Sequence, residues 1–145
     1  MIEKSTSPWS APIILVKKKG TTEKRFCVDY RGLNAVTVKD SYPMPRIDDA
    51  LDRLHRAQVF SVCDMVSGFW QMTVDEKDRE KTAFSTKNGL WQWRVVPMGL
   101  TGSTATFQRN MDILLAGFVG LNALVYIDDI IIFSETVEQH FKDVC

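Results

Sequence analysis

The chain has 145 residues, is 45% apolar and 25% charged, and carries a formal net charge of zero. That is enough for one domain with a real core, and the composition argues against disorder over most of the length. No apolar run reaches the ~18 residues of a membrane span, residues 1–8 lack the apolar core of a signal peptide, and Cys27, Cys63 and Cys145 have no metal-like spacing, so a reduced, intracellular setting is expected.

In chain order, residues 1–4 resemble the tail of a helix. Residues 13–19 and 24–30 are β-like runs around Gly20-Thr21-Thr22-Glu23, a hairpin signal. Residues 43–57 read as a helix, with Ile47, Leu51 and Leu54 at helical spacing and prolines at its start. A short buried strand over 59–63 ends on Asp64, and a turn with Gly68 as breaker follows at 67–70. Residues 82–85 and 90–96 are strand-like and joined across Lys87-Asn88-Gly89. Ser103 or Thr104 can cap a helix carrying Phe107, Met111, Leu114 and Leu115 on one face. Strands over 121–126 and 130–133 then flank two aspartates, and a helix begins in 137–144. Paired strands with interspersed helices predict an α+β fold with an antiparallel sheet. The pattern starts and stops abruptly, which reads as a fragment of a larger polypeptide.

Charge is unevenly spread. Residues 1–60 hold eleven Lys/Arg against seven Asp/Glu, and residues 61–145 reverse those numbers. A basic binding lobe and an acidic, cation-attracting lobe fit this, as does chance segregation.

The sharpest local feature is Asp128-Asp129 inside Leu124-Val125-Tyr126-Ile127-Asp128-Asp129-Ile130-Ile131-Ile132. A carboxylate buried alone costs several kcal/mol or neutralises. One reading is a tight hairpin turn, although neither Gly nor Asn is present to supply a positive φ. Asp64, at the end of Val59-Phe60-Ser61-Val62-Cys63, is open to the plain reading of a strand-ending cap. If the two strands are neighbours, the carboxylates converge. Oxygen ligands suit Mg²⁺, and two such ions can clamp the attacking and leaving oxygens of a phosphoryl displacement.

Several ordered blocks carry a resemblance. They are Ser7-Pro8-Trp9-Ser10-Ala11-Pro12 leading to Val16-Lys17-Lys18-Lys19; Arg25-Phe26-Cys27-Val28-Asp29-Tyr30-Arg31-Gly32-Leu33-Asn34; Tyr42-Pro43-Met44-Pro45-Arg46-Ile47-Asp48-Asp49; Asp64 through Gly68-Phe69-Trp70-Gln71; Lys81-Thr82-Ala83-Phe84; Pro97-Met98-Gly99-Leu100; Ala105-Thr106-Phe107-Gln108; and Tyr126-Ile127-Asp128-Asp129. With these the chain resembles the fingers and palm of reverse transcriptases, most closely those of gypsy-class LTR retrotransposons. The resemblance implies a right-hand palm with an antiparallel sheet backed by helices (41–71 and 103–145), a fingers subdomain (about 1–40 and 72–102) and no thumb within these residues.

It also implies roles. Asp64, Asp128 and Asp129 would be the catalytic carboxylates, holding two Mg²⁺ ions (Mn²⁺ as a substitute) with the Met65 carbonyl as a further ligand and Asp129 as the looser contact. Lys18 and Arg25 would meet the dNTP triphosphate, where a point charge and a planar guanidinium suit shifting negative charge. A solvated strand end is the plain alternative for residues 17–19. Phe69 would gate the sugar against a ribose 2′-OH, or is ordinary core. Met98 stands near the nucleotide; Arg31, Asn34 and Gly99 stand near the template. The implied activity is RNA-directed DNA polymerisation on an RNA or DNA template with primer, with the remaining parts of a Pol polyprotein (thumb, RNase H, protease, integrase) elsewhere, no membrane partner, and a location in a cytoplasmic particle or the nucleus. The family's usual Gly-Leu-x-Asn-Ala-Pro-Ala-Thr-Phe-Gln is departed from at Gly102, Ser103 and Thr104. Loss of the helix-start proline is expected to cost about 1 kcal/mol or less. The alternative is a catalytically inactive or domesticated remnant acting at most as a binding module.

Overall fold

Eight strands and five helices form over residues 1–145, all of which are described by the structure, a computed structural model. In order they are β1 (Ile2–Lys4), β2 (Ile13–Lys17), β3 (Lys24–Val28), α1 (Arg31–Val36), α2 (Ile47–Leu54), β4 (Val59–Asp64), α3 (Glu76–Arg79), β5 (Phe84–Thr86), β6 (Gly89–Trp93), α4 (Ser103–Leu114), β7 (Ala123–Tyr126), β8 (Asp129–Ser134) and α5 (Val137–Val144). Single 3₁₀ turns lie at Gly68–Gln71 and Glu80–Thr82. The α+β expectation is met: every strand pairing within the three sheets is antiparallel. The residues group into two units, Met1–Lys39 with Ser67–Ser103 and Asp40–Val66 with Thr104–Cys145.

The first unit holds the sheet β1-β6-β5 and the hairpin β2-β3. Its core is Val28, Tyr30, Phe84 and Trp93, with Ile13, Leu33 and Trp70 packed against it. Alternation along β2 and β3 puts Ile13 and Val28 on the core side, and Phe26 meets Phe84 edge-on at 5.6 Å between centroids. Residues 1–4 form no helix. Ile2, Glu3 and Lys4 pair with Trp93, Gln92 and Trp91. The Gln92 amide donates to Glu3 at 2.9 Å, and Arg79 and Arg94 flank that carboxylate, so a distant strand decides the conformation. Helix α1 has no sequence-level counterpart: it is six residues long, contains Gly32 and has no buried position.

The second unit is a three-stranded sheet, β4-β8-β7, with helices on one face. The register sets two faces apart. Phe60, Val62 and Asp64 oppose Phe133, Ile131 and Asp129; Val59, Ser61 and Cys63 oppose Ser134, Ile132 and Ile130. Helix α5 covers the second of these faces, where buried His140 bonds Ser61 at 2.8 Å and Ser134 at 2.9 Å. Helix α5 covers the residues expected of it. Helix α2 is shorter than the expected 43–57, because Pro45 disfavours a helical Met44 and Arg46 stays extended (ψ 136°). Along α4, Phe107 and Met111 are buried as expected, but Leu114 is 71% exposed.

The two units differ sharply in charge. The first has thirteen Lys/Arg against seven Asp/Glu, a net of +6; the second has five against eleven, a net of −6.

Candidate active site

Strands β7 and β8 are joined by a two-residue turn, Ile127-Asp128, since Tyr126 pairs directly with Asp129. Asp129 is therefore the first residue of β8, the central strand, rather than part of the turn. On its other side it pairs with Asp64, the last residue of β4. Directly opposed residues in an antiparallel pair project from one face with Cβ atoms about 4.5–5.5 Å apart. Asp64 and Asp129 thus share the face opposite the one that α5 covers. Asp128 is fixed beside them: its carbonyl accepts from the Met65 N–H at 3.0 Å. Asp64 and Asp129 are exposed and Asp128 is half-buried. None of the three is in an ion pair with a Lys or Arg. Nowhere do three or more His, Cys, Asp or Glu side chains gather closely enough to hold a metal ion among themselves. The donor set nonetheless suits a hard cation, because Mg²⁺ typically takes one or two carboxylates and completes its shell with water and substrate phosphates.

The turn lacks Gly and Asn, and its backbone pays for it: Ile127 sits at φ 57°. A β-branched residue in the left-handed region is an outlier that persists only where the surroundings over-determine it. Gln108 on α4 supplies that determination. It is wholly buried, and its Oε1 accepts from the Ile127 N–H at 2.7 Å while its Nε2 donates to the Val125 carbonyl at 3.2 Å. Sequence reasoning gave Gln108 no role. The available signal was a polar amide between Phe107 and Met111 on a helix face that is otherwise apolar.

The remaining candidates lie in the first unit. The Lys18 N–H bonds the Glu23 carbonyl at 2.9 Å and extends the β2–β3 ladder, so alternation puts Lys18 and Arg25 on one face of the hairpin. Lys18 makes an exposed ion pair with Glu23 at 3.5 Å. Phe69 lies in the 3₁₀ turn immediately after Ser67, the other non-glycine residue at positive φ (55°). Both outliers therefore sit within two residues of a candidate functional side chain. Arg31 makes a two-pronged bond to Asp29 (2.9 and 2.6 Å) with most of its side chain exposed. That bond holds the Asp29 carboxyl below the ordinary carboxylate range. The Asn34 amide is engaged at both ends: Nδ2 donates to the Gly99 carbonyl at 2.8 Å and Oδ1 accepts from the Thr101 N–H at 2.7 Å. Asn34 so anchors the loop in which Gly99 adopts φ 95° and Met98 is 64% exposed.

The profile of the family described as reverse transcriptase (RNA-dependent DNA polymerase) matches residues 16–144. The chain is 43% identical over 147 residues to the retrovirus-related Pol polyprotein from transposon opus of Drosophila melanogaster, covering 99% of this chain and 15% of that one. It is 40% identical over 149 residues to the corresponding polyprotein from transposon gypsy of the same organism, covering 99% and 14%. Among solved structures it is similar to a foamy viral protease-reverse transcriptase in complex with RNA/DNA hybrid, with a TM-score of 0.87, 29% identity, and coverage of 99% of this chain and 19% of that one. The chain thus spans about a seventh of its Pol relatives, and it belongs to the reverse transcriptase (RNA-dependent DNA polymerase) family.

Proposed function

We propose that the chain carries the polymerising centre of a retrotransposon Pol polyprotein, which transfers deoxynucleotides to a primer 3′-OH on an RNA or DNA template. The observation that carries this reading is the register of β4 and β8, which sets Asp64 opposite Asp129 with Asp128 in the adjoining turn. Asp64 and Asp128, with the Met65 carbonyl and a looser contact from Asp129, would hold two Mg²⁺ or Mn²⁺ ions. Divalent ions held there would lower the pKa of an attacking hydroxyl and offset charge on a transferring phosphoryl group. The fingers are read as about residues 1–40 and 72–102 and the palm as 41–71 and 103–145, which follows the two units except that residues 67–71, with Phe69, group with the first. In the fingers, Lys18 and Arg25 share a hairpin face and offer cations to a triphosphate. Phe69 would exclude a ribose 2′-OH, with Met98 beside the nucleotide. Arg31 and the Asn34-anchored loop at Gly99 would meet the template strand. The departures at Gly102, Ser103 and Thr104 leave α4 intact over twelve residues.

The test is single-nucleotide incorporation by this chain carried within a full-length Pol polyprotein. Asp128→Asn should slow incorporation by at least about a hundredfold, equivalent to roughly 2.7 kcal/mol in the barrier. Its melting temperature should hold, because Asp128 is in no ion pair. Unchanged incorporation sinks the two-metal reading. Absence of any stabilisation of the parent by Mg²⁺ with dNTP points instead to an inactive remnant.

A further inference from the structure

The turn that presents Asp128 depends on a side-chain amide, and an amide has two ends. As placed, Gln108 offers Oε1 to the Ile127 N–H. Rotated by half a turn, it would set its NH₂ against that N–H, two donors face to face, and the left-handed Ile127 would lose its restraint. What decides between the ends lies one helical turn further along α4. Gln108 Nε2 donates to Asp112 Oδ1 at 2.9 Å. An ionised carboxylate only accepts, so it demands the NH₂ end and sends the oxygen to Ile127. The Val125 carbonyl asks for the same end, but from 3.2 Å and without charge, so Asp112 makes the stronger bond. The other oxygen of Asp112 is occupied in turn: the Tyr42 hydroxyl donates to Oδ2 at 2.6 Å. That bond raises the Tyr42 pKa, which keeps the phenol protonated and donating.

We infer that Asp112, with Tyr42 behind it, is a positioning relay for the catalytic turn: it fixes the direction of the Gln108 amide and through it the Ile127-Asp128 backbone. The inference rests on the polymerase reading above for its functional consequence, but its structural part stands separately. Neither Asp112 nor Tyr42 would touch substrate or metal. Their effect reaches Asp128 only through Gln108.

The relay makes a rescue possible. Gln108→Glu still accepts from the Ile127 N–H, but its second oxygen faces the Asp112 carboxylate and the Val125 carbonyl, so acceptor meets acceptor. Adding Asp112→Asn supplies an NH₂ to that second oxygen and leaves a carbonyl for the Tyr42 hydroxyl. Amide hydrogen exchange at Ile127, measured on this chain, is the direct readout. Gln108→Glu and Asp112→Leu should each speed Ile127 exchange by about tenfold or more, and the double variant Gln108→Glu/Asp112→Asn should recover most of that. Exchange at His140 on α5, which lies outside the relay, should move much less. In the polyprotein, the incorporation rate constant should fall about tenfold or more in Gln108→Glu with KM for dNTP changed less than about threefold, and should recover in the double variant. A general loss of stability would instead move His140 and Ile127 exchange together. Because a buried carboxylate can compromise folding, Tyr42→Phe serves as the mild probe: it deletes one hydroxyl and should still speed Ile127 exchange measurably. The relay is overturned if Tyr42→Phe and Asp112→Leu leave Ile127 exchange unchanged, or if the double variant is no better than Gln108→Glu. A parent polyprotein that fails to incorporate nucleotides counts against the polymerase reading alone, since the exchange data still decide the relay.

Discussion

Ile127 holds a β-branched side chain at φ 57°, a conformation that costs on the order of 1–3 kcal/mol. Replacing it by Gly removes that strain, loosens the unfolded chain by about 0.4–1 kcal/mol and gives up a half-buried side chain, so the terms nearly cancel. Ile127→Gly should therefore change stability by less than about 1 kcal/mol in urea melts while slowing nucleotide incorporation, because the turn no longer has one preferred backbone. A loss of more than about 2 kcal/mol in the melt would show that Ile127 contributes packing rather than strain. The candidate carboxylates stood out in the sequence because two of them are adjacent in an apolar stretch, but the burial cost expected there does not arise: Asp64 and Asp129 are exposed and Asp128 is half-buried. The strain was only half legible. Absence of Gly and Asn argued against a common turn, yet the turn forms, since Gln108 holds it from nineteen residues away. Asn34 illustrates the same limit. Nothing local to Asn34 says that both ends of its amide are taken by the backbone of residues 99–101, with |i−j| of 65 and 67.

Among elements, the Asp40–Tyr42 segment meets α4 through polar contacts. Arg109 Nη2 lies 2.7 and 2.8 Å from the two Asp40 oxygens, and its guanidinium covers the Tyr42 ring at 4.7 Å from the centroid. The Arg109 bond, aided by the Tyr42 N–H, holds the Asp40 carboxyl below its usual range. A lowered folded pKa stabilises the folded state fully above the unfolded carboxylate value of about 3.9, and the gain is lost as pH falls through the lower, folded value. Arg109→Gln should thus be less stable than the parent at pH 6–7, and the gap should narrow in melts taken below about pH 4. A gap that stays constant with pH would assign the loss to the guanidinium–ring contact instead. Element identity was mostly readable from local pattern, as with β4 and α5, but the strand expected to be buried over 59–63 has no buried residue, because its Phe60–Val62 face is left uncovered. Element partners were not readable. The pairing of Asp64 with Asp129 joins positions 65 residues apart, and β1 takes its strand conformation from β6 some ninety residues away. Periodicity shows which face of a strand is apolar, but not which strand lies beside it.

Across the whole molecule, folding sorts charge further than the sequence order does. Splitting the chain at residue 60 separates +4 from −4, whereas the two folded units carry +6 and −6. The gain comes from the interleaved connectivity: the basic stretch Lys77–Arg94 joins residues 1–39, and the acidic stretch Asp40–Asp64 joins the carboxylates of β8 and α5. On the polymerase reading, the basic unit supplies phosphate contacts and the acidic unit attracts cations, so nucleic-acid affinity should depend steeply on salt despite a formal net charge of zero. Each phosphate contact by a Lys or Arg contributes about 0.9 to the slope of log K against log salt on duplex. Replacing Lys17 and Lys19 by Gln, with Lys18 kept because it is read as meeting the triphosphate, should therefore flatten the slope for a labelled RNA/DNA hybrid by about 1 to 2, depending on whether one or both reach phosphate. Replacing Asp48 and Asp49 by Asn in the acidic unit should raise affinity through the field, and more at low salt than at high salt. If the lysine variant lowers affinity with its slope intact, the hairpin affects binding without touching phosphate. If neither slope nor affinity moves, the hybrid does not lie on the β2–β3 hairpin.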